Sequence, residues 1–202
     1  MAEHKYSIDR DLREAAAMAD ALVPYVYEDE LYTKLGGHMP SLTLGALLLR
    51  LRRLGELSAQ MTDAQRLRWQ KIRDRHDAVR AEWTQHYLGK LAREAESRLK
   101  NLDAYFEEFE DSPRSAANAY LPEALRRTII QEILAVLPAD VLREAGLEAR
   151  VRKADSRLRR YVEPAPFLWA PALEPVYPPD PFWWLYHRPP QGEPKSEADD
   201  ET

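Results

Sequence analysis

The sequence predicts an all-α protein, an elongated helical bundle built on one very long helix and followed by an extended strap rich in proline and aromatic residues. Apolar residues recur at spacings of three and four along most of the chain, which is the period of an amphipathic helix, and no convincing β-strand alternation is present. The stretch from residue 62 to about residue 110 contains no proline and only one glycine. Ten of the fifteen prolines lie between residues 164 and 194, where they disfavour a helix.

The very long helix is expected to begin at Thr62 and to end near residue 110. Thr62 and Gln65 have the spacing of a capping box, in which each side chain satisfies a backbone N–H group of the other residue. Pro113 sets the end, because the residue before a proline disfavours helical geometry. About 48 residues at 1.5 Å each make a rod of about 70 Å, whereas a compact domain of this length is about 40–45 Å across. The helix either breaks near Gly89 or makes the molecule elongated, and we favour the elongated form. Its apolar stripe comprises Ile72, His76, Val79, Trp83, Tyr87, Leu91, Ala95, Leu99, Leu102, Phe106 and Phe109.

Shorter helices are predicted on both sides of the long one. Before it, Ser7 can cap a first helix, and Ser41 precedes another, in which Gly45 allows a second backbone to approach closely. After it, Pro122 fits the first position of a helix. Pro138 ends that helix and begins the last one, which is expected to run to about residue 161, either unbroken or broken at Gly146.

The chain changes character after residue 162. Its prolines are interleaved there with seven aromatic residues, although ordinary disordered linkers are poor in aromatics. Proline favours an extended, polyproline-like backbone, while aromatic side chains require burial. We expect the strap to be ordered only where its aromatics find pockets, on its own bundle or on another chain. The predicted regions are a helical bundle at 1–162, the strap at 163–192 and a disordered acidic tail at 193–202.

The composition indicates a cytoplasmic protein without a membrane partner. The 202 residues include no cysteine, which excludes disulfides, thiolate nucleophiles and cysteine metal sites. The N-terminus lacks the apolar core of a signal peptide. The most apolar run, residues 42–49, is far shorter than the ~20 residues that cross a membrane.

Charge is distributed in blocks of alternating sign. The net charge is −5, but residues 50–100 carry 13 basic and 7 acidic groups, and residues 126–160 carry 9 and 5. The three remaining blocks are acidic. Such segregation favours docking between segments of the chain or with a partner.

The leading functional hypothesis is a non-enzymatic interaction protein, an accessory or scaffolding subunit. It would bind another protein, either a second copy or a different chain, through the strap and the long helix. The candidate anchors are Phe182, Trp183, Trp184 and Tyr186, because tryptophan and tyrosine dominate interface hot spots. The alternative for these residues is a strap that packs on its own bundle.

A nucleic-acid-associated helical protein is the alternative hypothesis. Arg66, Arg73 and Arg80 share one face of the long helix at seven-residue spacing. Arg68 and Arg75 flank the apolar stripe on its other side. Such rows of cations bind phosphates, and the basic segment at 150–160 could extend them. Interleaved acidic residues, the negative net charge and the lack of a nucleic-acid-binding motif argue against this function.

A small metal-dependent enzyme is the third hypothesis. Asp103, Glu107 and Glu110 share one flank near the end of the long helix, where negative charge opposes the helix dipole. We expect Arg114 or a basic segment of the chain, more than a divalent cation, to compensate them. His76 and His86 are ten residues apart and point in different directions, so they do not chelate one ion. The sequence contains no nucleophile elbow and no phosphate-binding loop, and we predict no catalytic residue, cofactor or metal.

Overall fold

Helices dominate residues 5–190, the part of the chain that the computed structural model describes. The predicted all-α class is confirmed, and the regular β-structure of this part is one pair of two-residue strands. None of the helices between residues 5 and 190 combines the length and the apolarity that crossing a membrane requires. The expected acidic tail at 193–202 lies outside the described residues. The helices are α1 (Ile8–Asp20), α2 (Leu22–Tyr27), α3 (Leu44–Glu56), α4 (Asp63–Glu82), α5 (Thr84–Asp111), α6 (Pro113–Asn118), α7 (Tyr120–Val136), α8 (Ala139–Glu144) and α9 (Leu147–Leu158).

Polar caps fix where three of these helices begin. Thr62 and Gln65 form both hydrogen bonds of the predicted capping box at the start of α4. Ser7 accepts a hydrogen bond from a backbone N–H of the first turn of α1, as predicted. Thr43, rather than Ser41, caps α3.

The predicted long helix is present as α4 and α5, which are joined by a bend at Trp83. Trp83 has φ −114° and ψ 34°, outside the helical region. The hydroxyl of Thr84 donates to the carbonyls of Arg80 and Ala81, which would otherwise accept helical N–H groups. Gly89, by contrast, lies inside α5 and has no neighbouring atom within 4 Å of an added Cβ. The interruption therefore comes from a tryptophan–threonine junction and not from the glycine.

A buried contact between α3 and α5 sets the centre of the bundle. The N–H of Gly45 donates to Oε2 of the fully buried Glu94 at 2.9 Å, so the carboxylate sits at the N-terminus of α3. Arg98 donates to the other oxygen of Glu94 at 2.8 Å. A Cβ at position 45 would lie 2.4 Å from Cγ2 of Ile129, so α3, α5 and α7 meet where only glycine fits.

The strap is a closed loop on the surface of α3, α7 and α9. Strand β1 (Glu163–Pro164) pairs antiparallel with β2 (His187–Arg188), which brings the two ends of the loop together directly after α9. Between them the chain forms 3-10 helices at Pro171–Val176 and Trp183–Tyr186 and a short helical turn at Pro179–Phe182. Its aromatic side chains form a chain of edge-to-face contacts with one another.

Candidate functional site

The four predicted anchor residues of the strap occupy two different environments. Phe182 and Trp184 are buried in the protein's own core, with 1% and 0% exposure. Trp183 and Tyr186 are half-buried at the surface. The indole N–H of Trp184 donates to Oγ1 of Thr128 on α7 at 2.9 Å. The buried pair therefore holds the strap on its own bundle, and of the two tryptophans only Trp183 is accessible to another molecule.

Arginines of the bundle stack on the aromatic rings of the strap. The guanidinium of Arg52 lies 4.8 Å from the ring centroid of Phe182, and that of Arg53 lies 5.0 Å from Trp169. Arg127 lies 3.9 Å from the ring centroid of Trp184. Such contacts are worth about 0.5–2 kcal/mol each. Arg52, Arg53 and Arg127 therefore bind the strap, and their charges are not available to a partner.

Glu132 is a buried carboxylate beside this contact. Its Oε1 has no hydrogen-bond partner among the described residues and lies 3.5 Å from Nε of Arg52. The same arginine donates to the carbonyl of Val176 in the strap at 3.2 Å. Burial raises the pKa of Glu132 to about 7, although Arg52 and Arg53 oppose that shift. The ionised form of Glu132 is therefore a buried charge that lowers the stability of the fold, beside the contact between Arg52 and the strap.

The predicted stripe of Arg66, Arg73 and Arg80 on α4 is only partly available to a ligand. The guanidinium of Arg66 donates to the carbonyls of Ser58 and Met61, so it closes the turn before α4. Arg73 and Arg80 are exposed and form no salt bridge with the described part of the chain. Of this stripe, two cations remain for a ligand.

The second set lies at a groove between α1 and α4. Arg75 forms a salt bridge of 2.6 Å with Asp20, at the end of α1. Arg68 and Lys71 line the same groove, and the salt bridges within residues 5–190 do not include them. The groove has a volume of about 260 Å³ and an apolar floor. That floor consists of Ala16, Ala19 and Ile72.

The outer face of α9 and the turn that follows it carry a second group of cations. Arg152, Lys153, Arg159 and Arg160 are all exposed, and none forms a salt bridge with a described residue. Arg152 and Arg159 share a side because they are seven residues apart, close to two helical turns, and Arg159 and Arg160 directly follow the last residue of α9. The buried residues of α9 lie on its opposite side. We call these four side chains the α9 basic face.

Trp183 adjoins the α9 basic face. The guanidinium of Arg159 lies 3.8 Å from the ring centroid of Trp183. The imidazole of His187 packs edge-on against the same indole, and its Nδ1 lies 2.8 Å from the carbonyl of Trp183. An exposed cation row next to a half-exposed indole can bind carboxylates and an apolar side chain at once.

The predicted carboxylate cluster is compensated by a basic side chain. Arg157 of α9 lies 3.0 Å from Glu110 and 3.8 Å from Asp103. The hydroxyl of Tyr161 donates to Glu110 at 2.8 Å, and this bond together with Arg157 lowers the pKa of Glu110. Glu107 is exposed and is not part of this contact. Between residues 5 and 190, no group of three or more His, Cys, Asp or Glu side chains is arranged to hold a metal ion.

The two basic regions of the sequence adjoin opposite ends of α5. The α9 helix meets α5 through Arg157, which contacts Asp103 and Glu110 near the C-terminus of α5. The α4 helix ends at the bend that precedes the first residue of the 28-residue α5. The α9 basic face and the arginines of α4 are therefore separate surfaces, each with its own candidate ligand.

No protein-family model matches the chain, and comparisons with curated proteins and with solved structures give no significant match. A function must therefore be inferred from the groups that the structure leaves exposed. The α9 basic face is the strongest of these groups, because cations that form no salt bridge with a described residue lie beside the partly buried indole of Trp183.

Two buried basic residues, one on α7 beside the strap and one on α5 beside α2, were not singled out from the sequence. Arg127 is bound by the carboxylate of Asp155 at 2.7 Å while it stacks on Trp184. Lys90 is almost fully buried and donates to the carbonyl of Tyr25. Burial lowers the pKa of Lys90. Neither side chain reaches solvent. The signal in the sequence that could have identified both is a charged residue close to the apolar face of a predicted helix.

Proposed function

We propose that this protein is an interaction protein that binds an acidic segment of another protein chain at the α9 basic face. The observation that carries the proposal is the stacking of Arg159 on the half-exposed Trp183, at the edge of a row of exposed cations. Arginine and tryptophan are the residue types most enriched at interface hot spots. We further propose a cytoplasmic setting, with which the lack of cysteine agrees.

The charges around the face favour a short acidic segment over a long nucleic acid. The basic face extends over about 12 Å, from residue 152 in α9 to residue 160 in the turn after it. Acidic groups border it at Glu148, in the first turn of α9, and at Glu163, in β1. A continuous polyanion would have to pass these carboxylates, whereas a segment with a few acidic side chains can end before them.

Peptide affinity tests the proposal. The probe is a fluorescein-labelled peptide of alternating glutamate and serine, titrated with the full-length protein at low salt and followed by fluorescence anisotropy. The variant R152E/K153E should bind about tenfold more weakly, because each reversed surface charge costs about 0.5–1 kcal/mol. The variant Trp183→Ala should also weaken binding to a peptide in which leucine replaces one serine.

A matched control keeps the change in net charge equal. Lys34, in the segment before α3, and Lys100, in α5, are exposed cations and form no salt bridge with the described part of the chain. The variant K34E/K100E should retain the affinity of the unmodified protein. Equal weakening by both double variants would show a nonspecific effect of charge and would refute the proposal. Tighter binding to duplex DNA than to the peptide, lost in R152E/K153E, would replace the protein partner with a nucleic acid.

Polyanion binding at α4 is a second candidate function. The observation that favours it is the groove lined by Arg68 and Lys71, where the acidic Asp20 is already occupied by Arg75. Arg73 adds an exposed cation on the same helix. An electrophoretic shift of labelled DNA by the full-length protein tests this function. Salt-sensitive binding that R68E/K71E abolishes and R152E/K153E preserves would support it, and no shift by the unmodified protein would exclude it.

A further inference from the structure

We infer that the acidic stretch at 193–201 of this chain occupies the α9 basic face and competes there with an acidic partner. The inference rests on the proposed function of that face, for which it names a competing ligand within the same chain. It follows from two observations. The first is the position at which the described part of the chain ends, and the second is the opposite charge of the α9 basic face and of the residues that follow this position.

The first observation is the position of residue 190. Arg188 is paired with Glu163 in the β1–β2 ladder, and Glu163 comes five residues after the end of α9. Paired Cα atoms in an antiparallel ladder are about 5 Å apart. The chain therefore leaves the described region beside the C-terminal end of α9. Nine further residues reach up to about 30 Å, and the basic face is only about 12 Å long.

The second observation is charge complementarity. Residues 191–202 contain five acidic side chains and one lysine. The α9 basic face presents four cations that form no salt bridge with the described part of the chain. A short tether gives its end an effective concentration in the millimolar range. Even a weak attraction between these groups is then sufficient to keep the face partly covered.

A zero-length cross-link in the full-length protein tests the inference directly. A water-soluble carbodiimide activates a carboxylate, which the amine of a nearby lysine attacks to form an amide, while the carbodiimide leaves as its urea. Mass spectrometry of the digested protein should find amides between Lys153 and the acidic residues at 193–201. These links should disappear at about 0.5 M NaCl, where surface charges are screened. Lys71 and Lys100 serve as exposed comparison lysines on α4 and α5.

A variant of the full chain tests the competition. Neutralising the acidic stretch should tighten binding of the glutamate–serine peptide about two- to tenfold, as expected for removal of a tethered competitor. The gain should vanish when R152E/K153E is also present. The neutralised variant carries E197Q, D199N, D200N and E201Q, and the control with the same net charge carries E30Q, D74N, E107Q and E144Q.

The outcomes separate this inference from the proposed function. Links of the acidic stretch to Lys71 or Lys100 as frequent as those to Lys153, or equal affinity of the neutralised and control variants, would overturn the inference. Peptide binding that depends on Arg152 and Lys153 would then still support the proposed function. Specific links to Lys153 without peptide binding by any variant would support occupation of the face by the acidic stretch, but would refute both the competition and the proposed function.

Discussion

The indole N–H of Trp184 donates a 2.9 Å hydrogen bond to the hydroxyl of Thr128, and both side chains are fully buried. The carbonyl of Trp184 accepts a second hydrogen bond, from the hydroxyl of Tyr120, at 2.8 Å. Both donor–acceptor pairs join the strap to α7. Trp184 thus fixes the strap on its own bundle, and this position leaves Trp183 at the surface beside Arg159.

Loss of Trp184 should therefore release the strap and lower the stability of the whole protein. We predict that Trp184→Ala lowers the free energy of unfolding by about 3–5 kcal/mol, the usual cost of deleting a large buried aromatic. Thr128→Val, which removes only the hydrogen-bond partner, should cost about 1–3 kcal/mol. Urea unfolding measures both. A loss for Trp184→Ala no larger than that for the half-buried Trp183→Ala would contradict the assignment.

Gly45 and Gly89 should respond in opposite directions to the same substitution. A Cβ on Gly45 would meet Cγ2 of Ile129 at 2.4 Å and Oε1 of Glu94 at 2.6 Å. Gly45→Ala should cost about 1–3 kcal/mol, as expected for overpacking. Gly89→Ala meets no atom within 4 Å inside α5, so it should gain up to about 1 kcal/mol from helix propensity. Thermal unfolding of both variants measures the two effects. Shifts of the unfolding temperature in the same direction would contradict the packing around Gly45 and Gly89.

Glu132 should make the protein less stable as the pH rises. Its pKa in the folded protein is raised to about 7 from 4.5, so the folded state holds this proton more tightly than the unfolded state. The associated stability is present below pH 4.5 and is lost as the pH rises through 7. Glu132→Gln removes the titration, and its stability relative to the unmodified protein should increase by up to about 3 kcal/mol between pH 4.5 and pH 8. A difference that does not change with pH would show that Glu132 is not a buried charge.

His76 should have the opposite pH dependence. Burial lowers its pKa, although the hydrogen bond with Asp77 opposes the shift. The unfolded state therefore binds the proton more readily, and stability is present above the ordinary pKa of 6.5 and is lost as the pH falls. Nε2 of His76 lies 2.8 Å from the hydroxyl of Tyr87, across the bend between α4 and α5. His76→Gln should cost about 1 kcal/mol at pH 8 and less at pH 5. A cost that grows toward acidic pH in urea titrations would contradict a buried neutral imidazole.

The sequence predicts the helical elements but not the bend that joins α4 to α5. The capping box of Thr62 and Gln65 is a local interaction, so its spacing predicts the start of α4 directly. The bend at Trp83 depends on tertiary contacts: its ring packs on Tyr27 with 4.5 Å between ring centroids. No local pattern distinguishes Trp83 from the other residues of the apolar stripe. Gly89 carried the stronger local signal but lies inside an intact helix.

The candidate site was predictable only in part for a similar reason. The basic segment at 150–160 is visible in the sequence, but the long-range contact of Arg157 with Glu110 removes one of its cations. Likewise, the tryptophans of the strap are visible as a cluster, whereas the full burial of Trp184 against Thr128 and the partly buried position of Trp183 beside Arg159 depend on tertiary contacts. Residue type predicted which groups are suited to binding. Tertiary packing decided which of them are accessible.

The location of peptide binding tests the central claim most directly. The measurement is a titration of ¹⁵N-labelled full-length protein with the glutamate–serine peptide, followed by chemical-shift changes of the backbone amides and of the indole N–H groups. We predict that the largest changes fall on residues 152–160, in the second half of α9 and the turn after it, and on the indole of Trp183. Changes centred on Arg68 and Lys71 of α4, or spread evenly over all exposed basic residues, would contradict a binding surface on α9.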